Sequence, residues 1–214
     1  MPSFRDIVFA VSSVSDVAEA LPLTVWLFFA KKKQPYLLLG IFISILFLLK
    51  IVTLITAVQH INNMPLFHLL ALIEITAIFI FYCQLLFKRI KWWGVFILIV
   101  FHVLNAFFIQ NIWTFNSLSW TVDMIIIIGI GLQYFYHIYN DESDYIPLQH
   151  RPDFVITIGW LIYAAGSLFT YLMGTTILTG YAEGFLKNGW VFQTVSNISK
   201  DIIISYGFWL TNKR

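Results

Sequence analysis

Charge is what this sequence has least of. Only 11% of its 214 residues are Asp, Glu, Lys or Arg, against about 25% in an ordinary soluble domain. Hydrophobic residues make up 59% and the mean hydropathy is +0.81. One water-soluble core cannot hide that much apolar surface, so lipid is the expected solvent. A net charge of +2, with its lysines in short loops, excludes the basic face that nucleic-acid binding needs. Cysteine is nearly absent. Cys83 stands alone, which excludes an internal disulfide and a thiolate metal cluster, and in its apolar surroundings it reads as an inert buried thiol. No His-x-x-x-His or His-Glu-x-x-His spacing occurs, so no metal site is expected. A cleavable leader is not expected either. Ala18-Glu19-Ala20 imitates a cleavage site, but Ser12, Ser13, Ser15 and Asp16 break the apolar core before it.

What is present is long apolar runs. A helix crossing the hydrocarbon needs roughly 20 residues at 1.5 Å rise. Seven stretches qualify, at about 7–29, 36–58, 66–87, 92–110, 117–139, 153–176 and 190–210. They are too long for barrel strands and do not alternate, so they read as helices. The expected fold class is therefore all-α: a polytopic membrane protein whose single seven-helix transmembrane domain spans 1–214. Basic residues orient it. Lys31, Lys32, Lys33, Lys88, Arg89, Lys91, Arg151, Lys213 and Arg214 fall at one end, and only Arg5 and Lys187 at the other. The N-terminus is expected outside and the C-terminus in the cytoplasm. Trp92, Trp93, Trp113, Trp120, Trp190 and Trp209 fall near helix ends and read as interfacial anchors. Gly166, Thr170 and Gly174 form a small-residue face suited to close helix packing. Asp141, Glu142, Asp144 and Asp153 read as a solvated acidic loop, and His60, His137 and His150 as surface residues.

Against that background the intramembrane polar residues stand out. The last span carries Gln193, Asn197, Lys200 and Asp201, and a lysine or aspartate near the bilayer midplane costs roughly 3 kcal/mol on insertion scales. Ser12, Ser15, Asp16 and Glu19 recur at helical spacing on one face of the first span, with Pro22 one turn on. Lys50, His68, Glu74, His102, Asn105 and Asp123 lie in the spans between. Counted at 1.5 Å per residue, Asp16 and Glu19 lie about 13–18 Å below the outer boundary, Glu74 about 12 Å, Asp123 about 9 Å and Lys200 with Asp201 about 15–17 Å. Lys50 climbs about 21 Å from the other side to the same half. The expected site is thus an outward-facing polar pocket of Asp16, Glu19, Lys50, Glu74, His102, Asp123, Asn197, Lys200 and Asp201. In it Lys200 pairs with Glu74 or Asp16, while Asp201 points about 100° away. With five carboxylates and two lysines, some acids must carry protons or the cavity must be wet. No nucleophile with a base can be assigned, so the reading leans away from an enzyme. A structural scaffold held by interhelical hydrogen bonds is the plainest alternative.

The segments Asn62-Asn63-Met64-Pro65-Leu66-Phe67-His68, Glu19-Ala20-Leu21-Pro22-Leu23 and Asn197-Ile198-Ser199-Lys200 resemble those of a family of seven-helix bacterial integral membrane proteins. That resemblance implies a bacterial inner-membrane protein and supplies no activity. The layout is also similar to microbial rhodopsins. Lys200 would stand for their retinal-bearing lysine, Glu74 for the counter-ion, and Trp160 with Tyr163 for part of the retinal pocket. The chain departs from them in lacking the helix-three arginine and its aspartate–tryptophan signature. It also has Ala164 where proline is expected and Ser196 and Asn197 one turn before the lysine. The ceramidase-type zinc hydrolases need histidines on helix seven, and the sugar-transporter layout needs a proline in helix five; this chain has neither. The expectation is a receptor-like or carrier-like bundle in the lipid bilayer. It would bind a small polar solute or protons in sensing or transport, with retinal on Lys200 as the alternative and no other cofactor.

Overall fold

The computed structural model describes residues 14–140, 147–178 and 189–213, which form helices and, among the described residues, no strand. Its main helices are α1 (Ala20–Phe29), α2 (Tyr36–Val58), α3 (Met64–Phe87), α4 (Trp92–Leu104), α5 (Ser117–Tyr139), α6 (Pro152–Leu172) and α7 (Gly189–Asn212). A helical turn over 14–18 precedes α1. A π-helix, Asn105–Ile109, continues α4, and a short helix, Gly174–Leu178, follows α6. Five of these are long and apolar enough to cross a membrane: α2, α3, α4 with its π segment, α5 and α6. α1 has only ten described residues, and α7 is long but polar.

Local chemistry accounts for the boundaries. Pro65 and Pro152 sit in the first turns of α3 and α6, where a missing N–H costs nothing. α2 and α3 end on the left-handed residues His60 and Lys88, at φ 57° and 54°. These fold the chain back so that Ile61 N–H reaches the Thr56 carbonyl at 2.9 Å and Lys88 N–H that of Gln84 at 3.1 Å. The first helix is interrupted at Glu19, one turn before Pro22, and restarts at Ala20. Pro22 has no N–H for the Ala18 carbonyl.

Helix packing runs in a ring. α6 lies along α7, α7 along α1, α1 against α2, α2 against α3, α3 against α5, and α5 against α6. α4 stands outside this ring, packed on α3. The small-residue face of α6 does what its spacing predicts. A Cβ on Gly166 would lie 1.9 Å from Ser196 Oγ of α7, and Thr170 Oγ1 donates to the Gly189 carbonyl at 2.8 Å. At one end, Lys31 N–H donates to Thr211 Oγ1 at 2.9 Å, joining the loop after α1 to the end of α7. At the other, Asn62 Nδ2 donates to the Trp113 carbonyl at 3.2 Å.

The distribution of side chains is inverted relative to a soluble protein. Asn105, Asn116, Ser119, Thr157 and Ser167 are 0% exposed, while Phe96, Phe107 and Phe108 are 67–80% exposed. Lipid permits the second and demands the first, because backbone and polar groups must find partners inside. Trp92, Trp93, Trp113 and Trp209 are exposed, as anchors should be. Trp120 is not: it is buried and stacked on Tyr171 at 5.1 Å. Trp190 also turns inward, 5.6 Å from the Phe115 ring. Both lie at helix starts, where sequence position alone does not distinguish an outward ring from an inward one.

Gly40 fixes the α1–α2 approach, since a Cβ there would meet the Trp26 indole at 2.0 Å. Gly40→Ala is expected to lower stability by about 1–3 kcal/mol through overpacking, and the smaller Trp26→Leu partner change should restore most of it. Thermal unfolding in detergent checks this.

Candidate functional site

The ring encloses a cavity of about 160 Å³ to which all six of its helices contribute. From the α1 segment come Glu19 and Pro22, from α2 Ile43, Leu46, Phe47 and Lys50, and from α3 Phe67, Leu70 and Glu74. α5 gives Trp120, α6 gives Trp160, Tyr163 and Tyr171, and α7 gives Gln193, Asn197, Lys200, Asp201 and Ile204. A cavity of this size suits a few waters or one small molecule.

Two ion pairs stand in its wall. Lys50 Nζ bonds to Glu19 Oε1, linking α2 to the helix interruption before α1. Asn197 Nδ2 donates to the same oxygen at 2.8 Å and to Ser15 Oγ at 3.1 Å, so Glu19 is held from two helices. Lys50 keeps 41% of its side chain exposed. Deeper in, Lys200 Nζ lies 3.3 Å from Asp201 Oδ1, with 11% and 4% of the two side chains exposed. The ammonium also lies over the rings of Tyr163, at 4.6 Å, and Trp160, at 5.2 Å. Tyr163 and Tyr171 share a hydroxyl contact at 3.2 Å, and Gln193 Nε2 donates to Tyr171 at 3.2 Å. Glu74 differs from its neighbours. It is buried, lines the cavity, and accepts no hydrogen bond from the described residues.

Glu19, Lys50, Glu74, Asn197, Lys200 and Asp201 therefore meet as their depths predict. Asp16, His102 and Asp123 do not line the cavity. Asp16 is exposed, while Ser15 and Glu19 are the described residues of its helical face that turn inward; Ser12 lies outside the described residues. The partner expected for Lys200 is also corrected. Its four-carbon stem bends to Asp201, one residue on, so the 100° between their Cβ directions does not separate the charged ends.

His102 and Asp123 form a separate site because α4 lies outside the ring. His102 Nε2 is 3.2 Å from Asp123 Oδ2, and Nδ1 is 2.9 Å from the Leu98 carbonyl. Below them the π segment turns Asn105 inward, where Nδ2 donates to Ser119 Oγ at 2.7 Å and Gln110 Oε1 at 3.1 Å. At the opposite end of α5, Asp153 is buried, against the expectation of a solvated residue. Tyr134 donates its hydroxyl to Asp153, and Arg151 lies 3.4 Å away. The rest of that loop, Asp141, Glu142 and Asp144, lies outside the described residues. His60, His137 and His150 are exposed as expected.

The aromatic wall escaped the sequence reading as a wall. Trp160 and Tyr163 lie one turn apart on the helix whose Gly166 face packs on α7, and that juxtaposition was the available signal. Tyr171 and Trp120 carry none. No protein-family model, curated protein or solved structure matches the chain.

Breaking a buried ion pair from one side costs about 3–5 kcal/mol, whereas removing both partners costs far less. Lys200→Met is expected to destabilise on that scale, and Lys200→Met/Asp201→Asn to recover most of the loss. Recovery by Glu74→Gln and not by Asp201→Asn, in thermal unfolding, would refute the pairing.

Proposed function

We propose that this chain is a seven-helix inner-membrane protein of a bacterium that binds a small polar solute or protons in its ring cavity, in sensing or transport. The observation that carries this reading is Glu74: a buried carboxylate, facing a cavity, with no hydrogen-bond donor among the described residues. A scaffold network has no use for such a group, because polar residues that only fasten helices are satisfied by one another. Asn197 behaves in that fastening way, with Glu19 and Ser15; Glu74 does not.

In this reading α1 and α7 complete the seven spans. α1 is lengthened by the turn before it, and α7 crosses with its polar face turned to the ring. The basic loops face the cytoplasm, and the bond between the Lys31 loop and Thr211 supports placing those two segments on one side. The cavity then opens towards the outer half, since Gln193 lies near the start of α7 and Phe67 near the start of α3.

Access is the first test. Cys83 is buried, so a Cys83→Ser background with Gln193→Cys isolates the cavity. A small membrane-impermeant thiosulfonate added outside is expected to modify Gln193→Cys within minutes. Protection of this cysteine from both sides of the membrane would favour a closed scaffold. The cage of Trp160 and Tyr163 around Lys200 favours one other reading, a Schiff-base chromoprotein. Added retinal decides it: a visible band lost in Lys200→Ala would replace the solute with a chromophore, and no band is expected.

A further inference from the structure

We infer that the cavity solute is a small monovalent organic cation, an ammonium compound neutralised by Glu74. This deepens the binding function proposed above and rests on it. Among the described residues, three carboxylates and two ammonium groups line the cavity: Glu19, Glu74 and Asp201 against Lys50 and Lys200. Lys50 is bonded to Glu19, and Lys200 to Asp201 at 3.3 Å. One carboxylate is left over, that of Glu74, which is 8% exposed. An unpaired carboxylate buried to that degree holds a proton while the cavity contains no cation, and an entering cation takes the place of that proton as its counter-charge.

The lining narrows the class. Lys200 displays how this wall holds an ammonium: a carboxylate at 3.3 Å with rings at 4.6 and 5.2 Å. The same cavity offers a second carboxylate in Glu74 and further rings in Phe67 and the stacked Trp120 and Tyr171. Aromatic faces attract alkylammonium groups, and cages of them are a recurrent means of binding quaternary ammonium. An anion would meet the surplus carboxylate. A divalent metal would need three or more convergent ligands, and the described residues contain no such group. Size sets a limit as well, since a cavity of about 150 Å³ accommodates benzene; with about 160 Å³ here, the cation has few heavy atoms.

The purified protein in lipid nanodiscs would be titrated with tetramethylammonium, methylammonium, sodium, glycine or glycerol at constant ionic strength. Fluorescence of the cavity tryptophans is the readout. An ammonium ion is expected to give a saturable change that weakens at least tenfold in Glu74→Gln and persists in Glu74→Asp. In the wild-type protein the same ion should slow carbodiimide labelling of Glu74, a measurement independent of whether the variants fold. Stronger binding of glycine, glycerol or sodium overturns the ammonium class and leaves the binding function standing. Ammonium binding without protection of Glu74 overturns its role. No saturable response to any probe overturns both.

Discussion

A charge inside a lipid-facing bundle must be compensated within the bundle, and the architecture follows from that constraint. Lipid offers these groups no water on the outer surface of the bundle. Among the described residues, the carboxylate and lysine side chains of the helices therefore turn to the ring axis or find a partner in a seam, Asp16 excepted. Glu19 satisfies it with Lys50 and Asn197, Lys200 with Asp201 and two rings, Asp153 with Tyr134 and Arg151, and Asp123 with His102. These contacts also decide which helix faces which. α1, α2 and α7 are joined by Glu19 more specifically than by any apolar pair, because leucine against leucine differs little from leucine against a lipid tail.

How far this was legible in the sequence depended on the kind of information each residue carries. Helix positions were readable from run length, and 36–58 and 117–139 coincide with α2 and α5. Position along each helix was readable too, because rise per residue is fixed, and Lys50, counted from the opposite end, meets Glu19. Azimuth was not. The direction in which a residue points depends on where its helix stands, and no periodicity reveals that α4 lies outside the ring. His102 and Asp123 have suitable depths and the wrong neighbours for that reason. Asp16 is misplaced on the same ground: its face was read as wholly inward when only Ser15 and Glu19 turn in. The π segment after Leu104 has no sequence signal that could be used, yet it is what brings Asn105 inside.

The cavity and the α4 seam divide polar chemistry into two styles. In the seam, contacts join consecutive helices, with His102 reaching Asp123 across 21 positions and Asn105 reaching Ser119 across 14. In the cavity one contact closes the ring, with Asn197 reaching Glu19 across 178 positions. A network closed over such a distance holds only when the whole ring is assembled, which makes the cavity geometry a property of the complete bundle.

Ring closure through α1 and α7 bears on the order of the cavity charges along the chain. Lys50 follows Glu19 by one helix, so both members of that pair lie within a single two-helix segment of the chain. Lys200 brings its counter-ion in the very next residue, so α7 carries its two opposite charges side by side. Between them Glu74 arrives with neither arrangement. Among the described residues, Glu74 is thus the one cavity charge that chain order matches neither with the next residue nor with the next helix.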